Sequence, residues 1–137
     1  MGEHQGRPAP RISRMGDAPR REIKNDRGIS LALVDERWGA EKVDVHLNIL
    51  RPGGPPGPYH FHSNVEDVYI ILQGRPRLLL DGEVHDLGPE DVVFIPPGVP
   101  HSLSNPGPEE VRLLEIYAPV RPDFIEVPVP PEPARGR

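Results

Sequence analysis

The chain has 137 residues, 36 % of them hydrophobic, with 21 acids against 16 bases and a formal net charge of -5. That length fits one domain with a small core, and the acidic balance argues against a general nucleic-acid or membrane-surface binder, which needs a basic face to meet phosphates. There is no cysteine, so disulfides and thiolate metal sites are excluded and any metal must be held by nitrogen and oxygen.

Residues 1–27 carry seven Lys/Arg against four acids, with Pro8, Pro10 and Pro19 among them. Such a stretch buries too little apolar surface to offset its ordering entropy and reads as a mobile basic tail, solvated or laid on a neighbouring subunit. It lacks the apolar centre of a signal peptide, and no apolar run approaches the roughly 20 residues of a membrane span, so a soluble cytoplasmic protein is expected.

From Gly28 the pattern changes to short β-type runs. ISLALVDER and EKVDVHLNIL come first, the second alternating Val43, Val45, Leu47 and Ile49 with Asp44, His46 and Asn48. Arg51–Pro58, RPGGPPGP, is too rich in proline and glycine for helix or ladder and reads as a loop. VEDVYIIL, apolar on both faces, reads as an enclosed strand. RPRLLLDGEVHDL reads as a hairpin turned at Asp81-Gly82. DVVFI, the Pro96-Pro97-Gly98 turn and VRLLEIYAPV follow, and DFIEV adds at most an edge strand before the proline-rich tail at 128–137. No helix of ten residues is expected, and strands at this spacing define an all-β sandwich or small barrel over residues 28–127.

Two stretches carry chemistry. In YHFHSNVEDVYIILQG, His60 and His62 are two apart and leave the same face of an extended chain, with an acid close behind. In IPPGVPHSLSN, His101 follows a turn that would swing its strand toward the first. Three imidazoles and a carboxylate suit an open site for one divalent transition metal: Mn, Fe, Co, Ni, Cu or Zn. Asp67 and Glu66 are the two candidates for the acid, Glu66 favoured by side-chain length, and strand alternation lets only one point inward. His4, His46 and His85 read as solvated or hydrogen-bonded. Tyr69 and Ile71 share the face of Asp67 and would line a pocket, with Tyr59, Gln73 and Arg77 as candidate substrate contacts.

The sequence resembles the cupin superfamily, whose first motif runs Gly, five residues, His-x-His, three or four residues, Glu, six residues, Gly. Gly54, His60, His62, Asp67 and Gly74 fall on those positions, with Asp in place of the usual Glu. The second motif runs Gly, five residues, Pro-x-Gly, two residues, His, three residues, Asn; Pro96, Gly98, His101 and Asn105 match, while Glu90 stands where its opening glycine would be.

The resemblance covers about Val43 to Pro119. It implies a double-stranded β-helix (jelly-roll, cupin barrel) with one metal held by His60, His62, His101 and the acid. It further implies a metal-dependent enzyme acting on a small oxygen-rich organic molecule, with dioxygenase-type oxidation the first expectation and decarboxylase, isomerase or cyclase chemistry beside it. A non-catalytic small-molecule or sensor barrel, and a metal that only staples the fold, are the alternatives. Exposed sheet edges, with ISLALV and DFIEV as candidates to cover them, lead to the expectation of a homodimer.

Overall fold

The computed structural model describes residues 6–136, so His4 lies outside the described residues. Twelve strands follow one another: β1 (Arg20–Ile23), β2 (Gly28–Val34), β3 (Asp44–Leu50), β4 (His60–Phe61), β5 (Glu66–Gln73), β6 (Arg77–Leu80), β7 (Glu83–Asp86), β8 (Val92–Ile95), β9 (His101–Ser104), β10 (Val111–Ala118), β11 (Ile125–Glu126) and β12 (Ala134–Arg135). They form two six-stranded sheets, ordered β1-β2-β3-β10-β5-β8 and β11-β4-β9-β6-β7-β12. This is an all-β barrel, as the turn chemistry and spacing lead one to expect, in the double-stranded β-helix form that the resemblance implies. No helix among the described residues is long and apolar enough to cross a membrane.

The hairpin turn falls where expected, with Asp81 (φ 49°) and Gly82 (φ 84°) both left-handed. Ordered sheet begins earlier than Gly28, because Arg20–Ile23 pairs antiparallel with β2. It also continues past residue 127, since β12 runs parallel to β7. ISLALV is an interior strand between β1 and β3, and DFIEV supplies β11, which pairs with β4 of the same chain. Both runs proposed as edge covers for a partner are therefore used internally.

Residues directly opposite in an antiparallel pair share a face. Ser30, Asn48, Leu113 and Ile71 form one such row, Ala32, His46, Glu115 and Tyr69 the next, and Asp44, Tyr117, Asp67 and Ile95 a third. Leu113, Ile71 and Ile95 are all at most 1 % exposed, so these rows face inward. Their apolar members pack with Leu50, Leu78, Leu103 and Val111 from both sheets as the core. The same rows turn inward Asp44, His46 and Asn48, the polar half of the β3 alternation, and with them Glu115 of β10. The barrel is thus apolar along part of its interior and polar along the rest. Strand β5 is interior to its sheet, but only Asp67, Tyr69 and Ile71 are fully buried, and Leu72 is 45 % exposed on the outer face.

Candidate metal centre

The three histidines come from one sheet and the acid from the other. Strand β4 brings His60 directly opposite His101 of β9, and His62 follows just past the end of β4. The Pro96-Pro97-Gly98 turn is tied back to this segment, the Gly98 N–H donating to the His62 carbonyl at 2.7 Å. Gly98 takes φ 85°, a left-handed value that suits glycine. Beyond β9, Asn105 is buried and donates to the carbonyls of Leu50 (3.2 Å) and Glu109 (2.8 Å), which fixes the exit of the strand carrying His101. The motif residues around His101 thus serve to aim it.

All three imidazoles are oriented by main chain. Nδ1 of His60 bonds the Pro58 carbonyl at 2.8 Å, Nδ1 of His101 bonds the Val99 carbonyl at 2.9 Å, and Nδ1 of His62 bonds the Asp123 carbonyl. A carbonyl can only accept, so each Nδ1 carries the proton and each neutral ring offers its Nε2 lone pair. Burial lowers the pKa of His60 to about 4, and burial also lowers that of His101, so both rings favour the neutral form. Phe124 stacks on His60 with ring centroids 4.0 Å apart, so β11 and the residues before it cover one flank of the cluster.

The ligand atoms of His60, His62 and His101 lie within 4.8 Å of one another. Asp67, 1 % exposed, sets Oδ2 at 3.4 Å from His101 Nε2 and 3.6 Å from His62 Nε2, whereas Glu66 is exposed on the other face of the strand. Two donors that each bind one ion at about 2.1 Å stand about 3 to 4 Å apart, so these separations fit a shared cation. Nε2 of His62 and of His101 and both carboxyl oxygens of Asp67 are buried and have no hydrogen-bond partner among the described residues. Leaving such groups unpaired costs about 1–3 kcal/mol each, which a cation at their centre would recover. The donor set therefore fits a divalent metal on its own chemistry.

Glu115 is the residue that motif spacing does not reveal. It lies in the β10 row beside Asp67, and its carboxyl groups with those of His62 and Asp67 within 4.8 Å. Asn48 Nδ2 donates to its Oε1 at 2.9 Å. Burial, and after it the neighbouring Asp67 carboxyl, pushes Glu115 up to about 8; burial pushes Asp67 up to about 7. One sequence signal could have found it: Val111, Leu113 and Glu115 share a phase of the β10 alternation, so an acid sits where an inward apolar residue is due.

Through His60 the cluster borders a cavity of about 500 Å³. Its walls include His60, Tyr69, Tyr117, Leu113, Glu115 and Phe124. Of the other expected lining residues, Ile71 belongs to the core instead. Tyr59 is buried with its hydroxyl accepting from the Gly82 N–H at 3.1 Å. Gln73 is exposed and reaches the Glu110 carbonyl, and Arg77 is exposed and paired with Asp86 at 2.9 Å, so these three stand apart from the cavity. His46 is hydrogen-bonded as expected, to Ser30, with Asp44 close to its Nε2, and His85 lies beside Glu83 at 3.8 Å.

Three imidazoles and a carboxyl converging between two sheets of a double-stranded β-helix define a small barrel protein with a metal-type centre. The chain belongs to the cupin family, the cupin domain model matching residues 46–117, more than half of it.

Among relatives, it is 32 % identical over 84 residues to the polyketide synthase CurC of Streptomyces cyaneus, which covers 61 % of this chain and 54 % of that protein. Among solved structures, the polyketide cyclase RemF from Streptomyces resistomycificus superposes with a TM-score of 0.78 at 24 % identity, covering 91 % of this chain and 90 % of that one. The oxalate decarboxylase of Lactobacillus farciminis follows at 0.68 and 21 %, covering 82 % and 34 %. The two structures share the fold. The chain spans about half the length, or less, of the curated relatives it matches.

Proposed function

We propose that this cupin is a metal-dependent enzyme acting on a small oxygen-rich compound, and that its reaction is a cyclisation of a 1,3-dicarbonyl or polyphenolic substrate. The observation that carries the reading is the cavity: about 500 Å³ of space with His60 of the metal-type cluster and the buried Glu115 carboxyl in its wall, and Tyr69, Tyr117 and Phe124 around it. Flat aromatic walls suit a planar, conjugated guest. The polyketide cyclase RemF, which shares the fold, supports the choice of cyclisation over oxidation.

His60, His62, His101 and Asp67 would hold the ion. When bound, it supplies Lewis acidity toward a carbonyl or phenolic oxygen. The chain's own groups account for the proton transfers. Glu115, near 8, is populated in both protonation states around neutral pH, as a general base and acid should be. It would take one proton from the carbon between two carbonyls as that carbon bonds to a second carbonyl carbon, and return the proton to the alkoxide so formed. A second proton, taken from the same carbon and delivered to that hydroxyl, releases it as one water and leaves a carbon–carbon double bond, with no oxidant consumed. Burial holds the Tyr69 and Tyr117 phenols far above their ordinary value, so both remain protonated donors for a developing oxyanion.

Metal-loaded protein incubated with a panel of 1,3-dicarbonyl and phenolic compounds tests this. The expected product has lost one water, with no oxygen uptake. Oxygen uptake with gain of oxygen in the product would establish the dioxygenase-type oxidation instead, and tight binding without turnover would leave a binding or sensor protein.

A further inference from the structure

The cavity has a second chemical pole that the histidine cluster does not use. Strand β1 and the segment joining it to β2 contribute Arg21, Lys24 and Arg27 to its lining. Arg21 and Lys24 are exposed, while Arg27 is half-buried. The acids of the same segment turn elsewhere: Glu22 and Asp26 face Arg51, at 3.7 and 3.4 Å. Among the described residues Arg27 has one side-chain hydrogen bond, from Nη2 to the Leu103 carbonyl at 3.0 Å, and no carboxylate partner within ion-pair distance. A guanidinium carries five N–H donors in a planar fork, so most of this one's capacity is unspent.

Its position is built rather than incidental. The Arg27 carbonyl accepts the Arg51 N–H at 2.8 Å. At Gly28 a Cβ would stand 1.9 Å from the Ile49 carbonyl oxygen, so the backbone beside Arg27 is pressed against β3 and admits only glycine. At Gly57 a Cβ would stand 2.6 Å from Arg27 Nη2, so the absence of a side chain there is what lets the guanidinium lie against the loop before His60. Burial works against the charge, and Glu115, when ionised, is the cavity carboxyl whose field favours it. Glu126 lines the cavity too. A fixed, partly desolvated guanidinium without a carboxylate partner is an incomplete ion pair on the wall of a ligand-sized space.

We infer that Arg27, with Lys24 and Arg21 nearer solvent, forms a subsite for an oxyanion, a carboxylate or phosphate, carried by the substrate at an end remote from its metal-binding oxygens. The inference rests on the reading of the cavity as a substrate site and adds a requirement to it: the substrate is an acid. A planar fork fits either oxyanion, and the two are separated by experiment.

The test is calorimetric titration of the purified protein, with and without chelator, using 3-phenylpropionate, its methyl ester and 2-phenylethyl phosphate as probes. None of these chelates a metal strongly. The acid should bind about tenfold or more tighter than the ester, as expected for a charge-assisted contact. Arg27→Gln should abolish that preference and leave the ester unchanged, and Arg27→Lys, which keeps the charge but not the fork, should retain part of it. Lys24→Gln and Arg21→Gln should each lower acid affinity about two- to threefold.

A phosphate that outbinds the carboxylate identifies the phosphate as the group recognised, and the reverse order identifies the carboxylate. Equal binding of acid and ester, no binding of either anion, or equal weakening of acid and ester in both Arg27 variants would overturn the subsite. The acid-to-ester ratio needs no metal. A preference that persists in protein shown to bind no metal keeps the subsite and removes the metal-enzyme reading, whereas metal binding without a preference removes the subsite alone.

Discussion

The two sheets contribute to the centre in opposite ways. On the side of β4 and β9, each imidazole has its Nδ1 tied to a main-chain carbonyl, at Pro58, Val99 or Asp123. Tautomer and ring orientation are set before anything binds. On the side of β5 and β10, Asp67 is left with two unpaired buried oxygens beside a second buried carboxyl, Glu115. The histidine half is finished in its orientation, and the carboxyl half is not. Without a cation the imidazoles keep their Nδ1 bonds while Nε2 of His62 and of His101 stay unpaired, and the two carboxyls must stay neutral, share a proton or repel.

The largest effect should come from cutting the finished half. His62→Ala is expected to lower metal affinity by at least about a hundredfold, beyond the 10–100-fold typical of losing a supporting hydrogen bond, as read by metal analysis after dialysis. In an enzyme the fold should survive and turnover vanish; a metal that merely staples the barrel would give chiefly a fall in melting temperature. Asp67→Asn should weaken metal binding less, and Glu66→Gln not at all. An effect of Glu66→Gln equal to that of Asp67→Asn would blur the assignment of the acid to the inward face.

Next comes pH. Asp67 and Glu115 have folded-state values raised to about 7 and about 8. Between their unfolded values and these, the folded protein holds more protons than the unfolded chain, so in the metal-free protein stability falls as pH rises through that window. The depressed imidazoles, His60 and His101, act in the opposite sense, but below about pH 6.5, the ordinary histidine value. From about pH 6.5 to 8 the carboxyls therefore decide the slope. Urea unfolding of chelator-treated protein should show a falling midpoint across that range, and metal-loaded protein a flat one, because the cation offsets the carboxylate charge. Parallel curves for the two forms would contradict the contrast between the halves.

Two smaller changes probe the frame. Phe124→Ala removes the ring stacked on His60 and should cost about 1 kcal/mol, seen as a modest drop in melting temperature with weakened metal retention. Glu90→Gly should raise stability by up to about 1 kcal/mol, since Glu90 holds φ 75° at the position where the second motif has glycine. The Glu90 N–H donates to the Ile71 carbonyl at 2.8 Å, so that conformation is part of the strand junction.

Much of the site was legible because metal ligation constrains spacing. His60, His62 and His101 are set by a period-2 strand and a Pro-Pro-Gly turn, and the Asp67 position follows from alternation once Gly74 is fixed. Gly74 itself, with φ 84° and a Cβ that would fall 2.6 Å from the Glu110 carbonyl oxygen, is demanded by close approach to the strand carrying Glu115.

The inward polar face of β3 was not legible. Alternation says that Val45 and Leu47 oppose His46 and Asn48, but not which side lines a polar cavity. Glu115 was missed for a related reason, its partner Asp67 being far away in sequence and joined to it only by strand pairing. The β1–β2 segment read as a tail because its composition is polar; β2 pins it by backbone pairing, which composition does not report. The resemblance pointed first to oxidation because the ligand set alone suits many reactions, and walls built from separate strands emerge only in three dimensions.

The most direct test is a crystal of the protein grown with metal and measured at that metal's absorption edge. One anomalous peak per chain, within bonding distance of Nε2 of His60, His62 and His101 and of the Asp67 carboxylate, is the expected result. A peak elsewhere, or none at those four groups in protein soaked at saturating metal, would contradict the account.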